Sequence, residues 1–199
     1  MDTFTTREYD AAMKEKIVVG VAGMPGSGKA AVKEFAQEKG YSMVVMGNEI
    51  REESKRRKLK PTPKNLGQLM LKLREEEDQA VVARRCVPKI ESAEEKVVIV
   101  DGIRSPQEVN EFKKRFPNFF LIAIYASPET RFQRLFQRKR SDDPKSWEAF
   151  MERDFRELSV GLGDVIATAD YLLVNEGTRV QLKRKVLKVL GSVVEKWMR

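Results

Sequence analysis

One short stretch of the chain combines three glycines and a lysine at fixed spacing: Gly23, Met24, Pro25, Gly26, Ser27, Gly28 and Lys29. Glycines permit backbone conformations that turn successive N–H groups inward, and the lysine adds an ammonium group. A helix-like pattern that starts with Ala30 and Ala31 follows, so the positive end of its dipole faces the same point. This G-x-x-x-x-G-K pattern predicts a loop that binds the phosphates of a nucleoside triphosphate, with Lys29 at the β- and γ-phosphates. The alternative is a glycine-rich turn without a ligand.

Position 30 departs from the pattern of such loops. Ala30 stands where a serine or threonine hydroxyl would bind Mg²⁺ directly. A water molecule can take that coordination position, because Mg²⁺ commonly keeps several waters. We therefore expect ATP binding to survive and the metal to be held less firmly.

A carboxylate ends the second strongly apolar run, Val97–Asp101. In a sheet that carries a phosphate-binding loop, this carboxylate lies beside the bound metal and contacts it directly or through water. An apolar run that ends in Asp-Gly is by itself often only a strand that leads into a turn. Combined with the loop at 23–29, it predicts that Asp101 positions Mg²⁺.

Arginines concentrate in one later segment. Arg131, Arg134 and Arg138 are spaced by three and four residues and so share a helix face, and Arg140 follows them. Phosphoryl transfer requires such donors, because negative charge spreads over the transferring oxygens. Arg134, Arg138 and Arg140 are the catalytic candidates, with Arg153 and Arg156 further on as additional ones. A solvated basic face is the alternative interpretation.

The composition excludes several kinds of site. Histidine is absent from the 199 residues, which excludes a triad, a general base or a zinc site built on that side chain. Cys86 is the only cysteine, so no disulfide can form within the chain, and its apolar surroundings predict a core residue. The net charge of +8 predicts attraction to anions: nucleotides, coenzyme phosphates or nucleic acid.

Two features bear on location. The longest apolar run, Phe119–Ala126, is too short to cross a bilayer. The N-terminal sequence MDTFTTREYD lacks the basic and then apolar layout of a signal peptide. We expect a cytoplasmic protein without a membrane partner.

The elements that must position these residues can be predicted from apolar patterns. Five runs indicate buried strands: Ile17–Val21, Ser42–Met46, Val97–Val100, Phe119–Ala126 and Tyr171–Val174. Helical patterns alternate with them, and the clearest places Leu182, Val186, Leu190, Val193 and Trp197 on one face. This alternation predicts an α/β protein of three layers, with a five-stranded parallel sheet and helices on both faces.

Two regions interrupt the alternation and are predicted as excursions from one core. Residues 49–92 are predicted to be helical, with Pro88 expected to kink or end the last helix. Residues 131–168 are rich in arginine, and Asp143 is expected to cap a helix that Pro144 begins.

Further motifs resemble those of adenylate kinases and dephospho-coenzyme A kinases. Asn48-Glu49-Ile50-Arg51 resembles their Gly-Asp-x-x-Arg element, and Asp101-Gly102-Ile103-Arg104 resembles Asp-Gly-x-x-Arg. In both elements the arginine grips a phosphate of the accepting nucleotide. Arg134-Leu135-x-x-Arg138 resembles the start of their lid helix. Ala169-Asp170-Tyr171 with Asn175-Glu176-Gly177 resembles the ending of dephospho-coenzyme A kinases.

The combination most closely resembles an archaeal family of P-loop kinase-like proteins, described by their similarity to these two kinases. The resemblance covers nearly everything after residue 15. It is carried by the stretches MGNEIREESKRRKLKPTPKNLGQLMLKLREE, VDGIRSPQEVNEFKK, RSDDP and LGDVIATADYLLVNEG.

This resemblance implies a P-loop NTPase fold and one domain over residues 1–199. The core would comprise about 15–48, 93–130 and 169–199, with an acceptor-binding lobe at about 49–92 and a lid at about 131–168. ATP and Mg²⁺ would be the cofactors. Asn48, Arg51 and Arg104 would bind a small phosphorylated acceptor, and Asn175 would lie near the adenine.

Two interpretations remain open at this point. The leading one is a kinase that transfers the γ-phosphoryl group of ATP to a nucleoside monophosphate or a dephospho-coenzyme A type of acceptor. Ala30 and Asn48, which stands where these kinases have aspartate, favour a second one: a slow ATPase switch or an RNA-associated protein. Nucleic acid is the secondary partner, and the basic tract 51–60 is either a solvated helix face or a further phosphate grip.

Overall fold

Five parallel strands form the centre of the protein in the computed structural model, which describes residues 16–138, 140 and 143–198. They are β1 (Ile17–Ala22), β2 (Ser42–Val45), β3 (Val97–Asp101), β4 (Asn118–Tyr125) and β5 (Tyr171–Val174). Their order across the sheet is β2-β3-β1-β4-β5, and every neighbouring pair is parallel. The predicted five-stranded parallel sheet is confirmed.

Helices follow the strands along the chain. They are α1 (Ala30–Glu38), α2 (Gly47–Arg56), α3 (Pro63–Glu76), α4 (Val81–Glu91), α5 (Pro106–Arg115), α6 (Pro128–Arg138), α7 (Trp147–Ser159), α8 (Leu162–Ala167) and α9 (Arg179–Met198). Among the described residues, no helix combines the length and the apolar character that crossing a bilayer requires.

Two hydrophobic clusters cover the two faces of the sheet. Neighbouring residues of a strand point to opposite faces, so Val18 belongs to one cluster and Val19 to the other. The first cluster draws side chains from α2 to α5 and α8, and the second from α1 and α9. The three predicted layers are confirmed.

The predicted helix faces hold with one exception. Leu182, Val186, Leu190 and Val193 of α9 are buried, whereas Trp197 is 39% exposed at the end of the helix. Cys86 is buried in the first cluster, as predicted.

Strand register brings the predicted chemistry to one edge of the sheet. Asp101, the last residue of β3, pairs with Val21 near the end of β1 and with Val45 at the end of β2. The loops that follow these three strands therefore leave the sheet side by side. Ligands of open α/β sheets bind at this carboxyl edge.

The expected helix end at Pro88 and the expected helix cap at Asp143 are wrong, whereas a kink at Pro88 stays a prediction. Pro88 lies inside α4, which continues to Glu91, because proline removes one hydrogen bond and the later ones remain; the N–H of Ser92 still donates to the carbonyl of Pro88 at 3.0 Å. Asp143 does not cap a helix, since α7 begins at Trp147 and Ser146 is its cap. Ser141 and Asp142 of the same segment lie outside the described residues.

The region predicted as a lid divides into two parts. Leu162 and Val165 of α8 are buried in the first cluster, and α8 contacts β1 and β4. The excursion from the core therefore ends before α8, and α7 is its main helix.

A buried ion pair attaches α7 to the core. The guanidinium of Arg131 donates to both carboxylate oxygens of Asp154, over 2.8 and 2.5 Å, and its Nε donates to the carbonyl of Ala126 at 3.0 Å. Both side chains are almost inaccessible to water, at 4% and 7%. Arg131 is therefore a structural anchor for α7.

Replacing Arg131 by alanine should leave the buried carboxylate of Asp154 without its ion-pair partner. We expect the Arg131→Ala change to lower the free energy of unfolding by roughly 3–5 kcal/mol, the usual cost of removing one partner of a buried pair. Urea denaturation measures this loss. The exposed pair Arg179–Glu34 is the matched control, and Arg179→Ala should cost less than about 1 kcal/mol. Equal losses in the two variants would contradict the anchoring role.

Candidate active site

The phosphate-binding loop lies between β1 and α1 and requires glycine at two of its positions. Gly26 and Gly28 have φ angles of +83° and +105°, which side chains rarely adopt. A Cβ atom at position 26 would also lie 2.7 Å from the carbonyl oxygen of Arg131, and one at position 28 would overlap the amide of Asn175. The loop is thus wedged between α6 and the end of β5.

Asn175 holds this loop in place. Its buried side chain donates from Nδ2 to the carbonyl of Ser27 at 2.8 Å, and its backbone N–H donates to the carbonyl of Tyr125 at 2.7 Å. The residue predicted to lie near the adenine therefore contacts the loop backbone itself. Its place beside a base stays a prediction.

Lys29 is half-buried, and its ammonium group donates to the carbonyls of Gly23 and Met24 within its own loop. Burial lowers its pKa to about 8, although the negative charge of Asp101 opposes this. A phosphate group would favour the charged form. The ammonium thus lies at the loop and is stabilised by an incoming anion.

Asp101 lies near Lys29 and fits the role of a metal-binding residue. Its Oδ1 atom is buried and has no hydrogen-bond partner among the described residues. A buried oxygen of this kind suits a cation or a cation-bound water. No three potential metal ligands meet within the described part of the chain, so phosphate oxygens and water would complete the coordination. Ala30 is exposed at the start of α1, where it offers only a methyl group.

A cavity of about 690 Å³ opens between the core, the lobe of α2 and α3, and α7. Six basic side chains line it: Arg51, Arg104, Arg140, Lys145, Arg153 and Arg156. The acidic lining is Asp143 and Glu157. Arg104, Arg153 and Glu157 also lie close enough to Lys29 to influence its pKa, so this side of the cavity lies near the phosphate-binding loop.

Different hydrogen bonds position Arg104 and Arg51, two of the residues predicted to bind the acceptor. Glu108 accepts hydrogen bonds from the backbone N–H of Arg104 at 2.7 Å and of Ser105 at 3.2 Å, in a capping box at the start of α5. Arg51 donates to Oδ1 of Asn48 at 3.0 Å. Asn48 lines a smaller cavity beside β2 and does not line the large one. Its contact with the large cavity is therefore indirect, through its hydrogen bond with Arg51.

Sequence reasoning missed Glu157 of α7. Its Oε2 atom lies 2.9 Å from Nε of Arg104, and this carboxylate raises the pKa of the arginine. The signal was present in the spacing, since Arg153, Arg156 and Glu157 are three and four residues apart and share one helix face. α7 therefore presents both cations and a carboxylate to the cavity.

Of the three predicted catalytic arginines, the structure places only Arg140 in the lining of the cavity. Arg138 is ion-paired with Asp143, and although burial opposes the shift, the hydrogen bonds from Arg138 and from the backbone of Arg140 lower the pKa of Asp143. Arg134 lies near Glu176, and its Nη1 atom is buried without a hydrogen bond from the described residues. The catalytic roles of Arg134 and Arg138 stay predictions.

Two arginines of the basic tract 51–60 form ion pairs within their own lobe, and its three lysines are exposed. Arg57 donates to Glu53 at 2.7 Å and to Glu76 at 2.7 Å, and Arg56 lies 2.9 Å from Glu53. Arg51 is the member of the tract that reaches the cavity.

Comparisons with known proteins place the chain in a family. A family model described as an AAA domain matches residues 22–150. The chain is 43% identical over 180 residues to a UPF0200 protein of Methanothermobacter thermautotrophicus, which covers 90% of this chain and 92% of that protein. A UPF0200 protein of Pyrococcus furiosus is 46% identical over 183 residues and covers 90% and 98%. The chain belongs to the UPF0200 family. The predicted archaeal P-loop kinase-like family is confirmed.

Solved structures share the fold at low sequence identity. TT1252 from Thermus thermophilus has a TM-score of 0.60 at 19% identity and covers 89% of this chain and 97% of its own. A shikimate kinase from Acinetobacter baumannii in complex with shikimate has a TM-score of 0.57 at 16% identity and covers 92% and 97%. A gluconokinase from Sinorhizobium meliloti has a TM-score of 0.55 at 13% identity, over 92% and 95%. The UPF0200 chain thus has the P-loop kinase fold.

The lowered pKa of Lys29 predicts a pH dependence of ATP binding. Below pH 8 the lysine is charged and affinity should be constant; above pH 8 the free protein loses the ammonium, so affinity should fall by up to about tenfold per pH unit. Near pH 8, binding should also take up protons, because the phosphates raise the pKa. Calorimetry in buffers of different ionisation enthalpy measures both effects. Lys29→Met should bind weakly, without this slope, and a slope equal to that of the native chain would refute the assignment.

Proposed function

We propose that this UPF0200 protein is an ATP-dependent phosphotransferase that acts on a small, phosphorylated, nucleotide-like acceptor. One observation supports this most strongly: Arg104, Arg153 and Glu157 line an arginine-rich cavity and also lie near enough to Lys29 of the phosphate-binding loop to influence its pKa. Catalysis of phosphoryl transfer depends mainly on positioning and on charge stabilisation. This arrangement offers both.

The donor side consists of the loop and Asp101. Backbone N–H groups of 23–30 and the ammonium of Lys29 would hold the triphosphate. Asp101 would hold Mg²⁺, directly or through water. Bound Mg²⁺ would neutralise part of the charge on the phosphates.

The acceptor side consists of two arginines that the sheet and the lobe supply. Arg51 and Arg104 would bind the acceptor's phosphate, since guanidinium groups match phosphate oxygens in pairs. A hydroxyl acceptor would donate its proton to Asp101. Arg140 and Arg153, from the α7 side, would face the transferring group, and α7 would exclude water that otherwise leads to hydrolysis.

The charge of the cavity favours phosphorylated acceptors over carboxylates. Shikimate, which is bound in one of the neighbouring structures, carries one carboxylate. Six basic side chains against two acidic ones suit a more highly charged molecule. We therefore favour a nucleoside monophosphate or a dephospho-coenzyme A type of acceptor.

A panel of acceptors with γ-labelled ATP and Mg²⁺ tests this function. We expect label to appear in a phosphorylated acceptor faster than in free phosphate. Arg51→Ala and Arg104→Ala should raise KM for that acceptor about tenfold or more, because each removes a charge-assisted contact. Label in free phosphate alone, with every acceptor, would show a slow ATPase instead, as the missing hydroxyl at position 30 would also allow.

Introducing a hydroxyl group at position 30 tests the proposed binding of Mg²⁺. Ala30 is exposed, so serine or threonine fits there without repacking. Ala30→Ser and Ala30→Thr should lower the Mg²⁺ concentration needed for half-maximal transfer, because the hydroxyl adds a ligand. Ala30→Val is the matched control, since valine has the shape of threonine without the oxygen. An equal response of valine and threonine would exclude this explanation.

A further inference from the structure

The basic side chains of the cavity come from two parts of the chain. Arg51 on α2 and Arg104 after β3 form the core wall, defined here by these two residues. The lid wall is defined by the four basic residues that α7 and the segment before it contribute, namely Arg140, Lys145, Arg153 and Arg156. The core wall alone accounts for the phosphate that the proposed function places there.

Carboxylates neutralise only part of this charge. Six basic and two acidic side chains line the cavity, which gives a net formal charge of +4. Glu157 is engaged with Arg104, and Asp143 with Arg138, which lies outside the lining. Arg51 and Arg156 have no carboxylate partner within the described part of the chain. A single phosphate monoester brings about two negative charges, which leaves cations uncompensated in a partly enclosed space.

α3 fixes the spacing between the two walls. Nη1 of Arg104 lies 3.7 Å from Sδ of Met70. The guanidinium of Arg156 packs against Gly67, where a Cβ atom would lie 3.2 Å from Nε. Residues 67 and 70 are one turn apart on α3, a rise of about 4.5 Å along the helix axis. The two guanidinium groups therefore lie at neighbouring levels of the cavity, as two phosphate groups of one ligand require.

We infer that the acceptor carries a second phosphate group, bound by Arg156 and Lys145 of the lid wall, beyond the one bound by Arg51 and Arg104. This rests on the proposed function, because it describes the same cavity. The class includes a nucleotide with a diphosphate chain and one with two separated phosphates. Gly67 is part of the site, since a Cβ atom there would lie 3.2 Å from Nε of Arg156 and would shift its guanidinium group by a few tenths of an ångström.

Binding of adenosine probes tests the inference without catalysis. The donor loop is first saturated with Mg²⁺ and a non-hydrolysable ATP analogue that has an imido bridge between the β- and γ-phosphates. The affinity of AMP is then compared with that of ADP and of adenosine 3′,5′-bisphosphate by calorimetry. We expect at least one two-phosphate probe to bind about tenfold or more tightly than AMP, since an added charge-assisted contact is worth that much. Tighter binding of ADP would indicate that the second phosphate is linked to the first. Tighter binding of adenosine 3′,5′-bisphosphate would indicate that the two phosphates are separated.

Three variants test which residues cause the tighter binding of the two-phosphate probe. Arg156→Ala should abolish the advantage of the two-phosphate probe and leave the affinity for AMP within about twofold, because AMP does not reach the lid wall. Gly67→Ala should act in the same direction by displacing Arg156, and alanine favours the helix, so the variant is expected to fold. Arg51→Ala should weaken all three probes.

Lys188→Ala is the matched control, because Lys188 is an exposed cation of α9 outside the cavity, and no change is expected. Equal affinity of the three probes, or no binding of either two-phosphate probe, overturns the inference. So does an equal loss of AMP and two-phosphate binding in Arg156→Ala and Gly67→Ala. Transfer of the γ-phosphoryl group to a monophosphate by the native chain, together with equal affinity of the three probes, would leave the proposed function intact and remove only the second phosphate.

Discussion

The pairing of β3 with both β1 and β2 is the constraint on which the site depends. Asp101 is held at the ends of two neighbouring strands by backbone hydrogen bonds, so the loop after β1 and the turn that leads to Arg104 must emerge beside it. β1 and β3 are buried and apolar over nearly their whole length, which makes a slip in their register costly. The phosphate-binding loop and the turn that carries Arg104 are therefore brought together by the backbone of the sheet.

Charge organises what surrounds that edge. A chain with an excess of basic residues must hold its cations apart or neutralise them, and it uses acidic residues of α7 for this purpose. Asp154 attaches α7 to Arg131 beside the phosphate-binding loop, and Glu157 attaches it to Arg104 on the acceptor side. The same helix thus bridges both halves of the site. Because Arg131 is fully used by this attachment, it is a structural residue in spite of its place in an arginine-rich row.

The two departures from the kinase pattern have different physical meanings in the structure. Ala30 lies exposed at the first residue of α1, so the change removes one ligand atom and disturbs no packing. Asn48 accepts a hydrogen bond from Arg51, and a carboxylate there would bind that arginine as an ion pair. The asparagine therefore leaves Arg51 more available to an anion in the cavity. The first departure thus removes a possible ligand atom, and the second changes the partner of an arginine that lines the cavity.

Local sequence determined the strands, the phosphate-binding loop and the positions of Asp101, Arg51 and Arg104, because apolar periodicity and glycine spacing act over a few neighbouring residues. Only the tertiary structure decided which arginines share the cavity, since that depends on how α6 and α7 pack rather than on spacing. In the folded protein Arg131 is paired with Asp154, and Arg138 is paired with Asp143. Glu157 is brought into contact with Arg104. Buried charges require partners, and the partners lie 5, 23 and 53 residues away in the chain, beyond the reach of any local pattern.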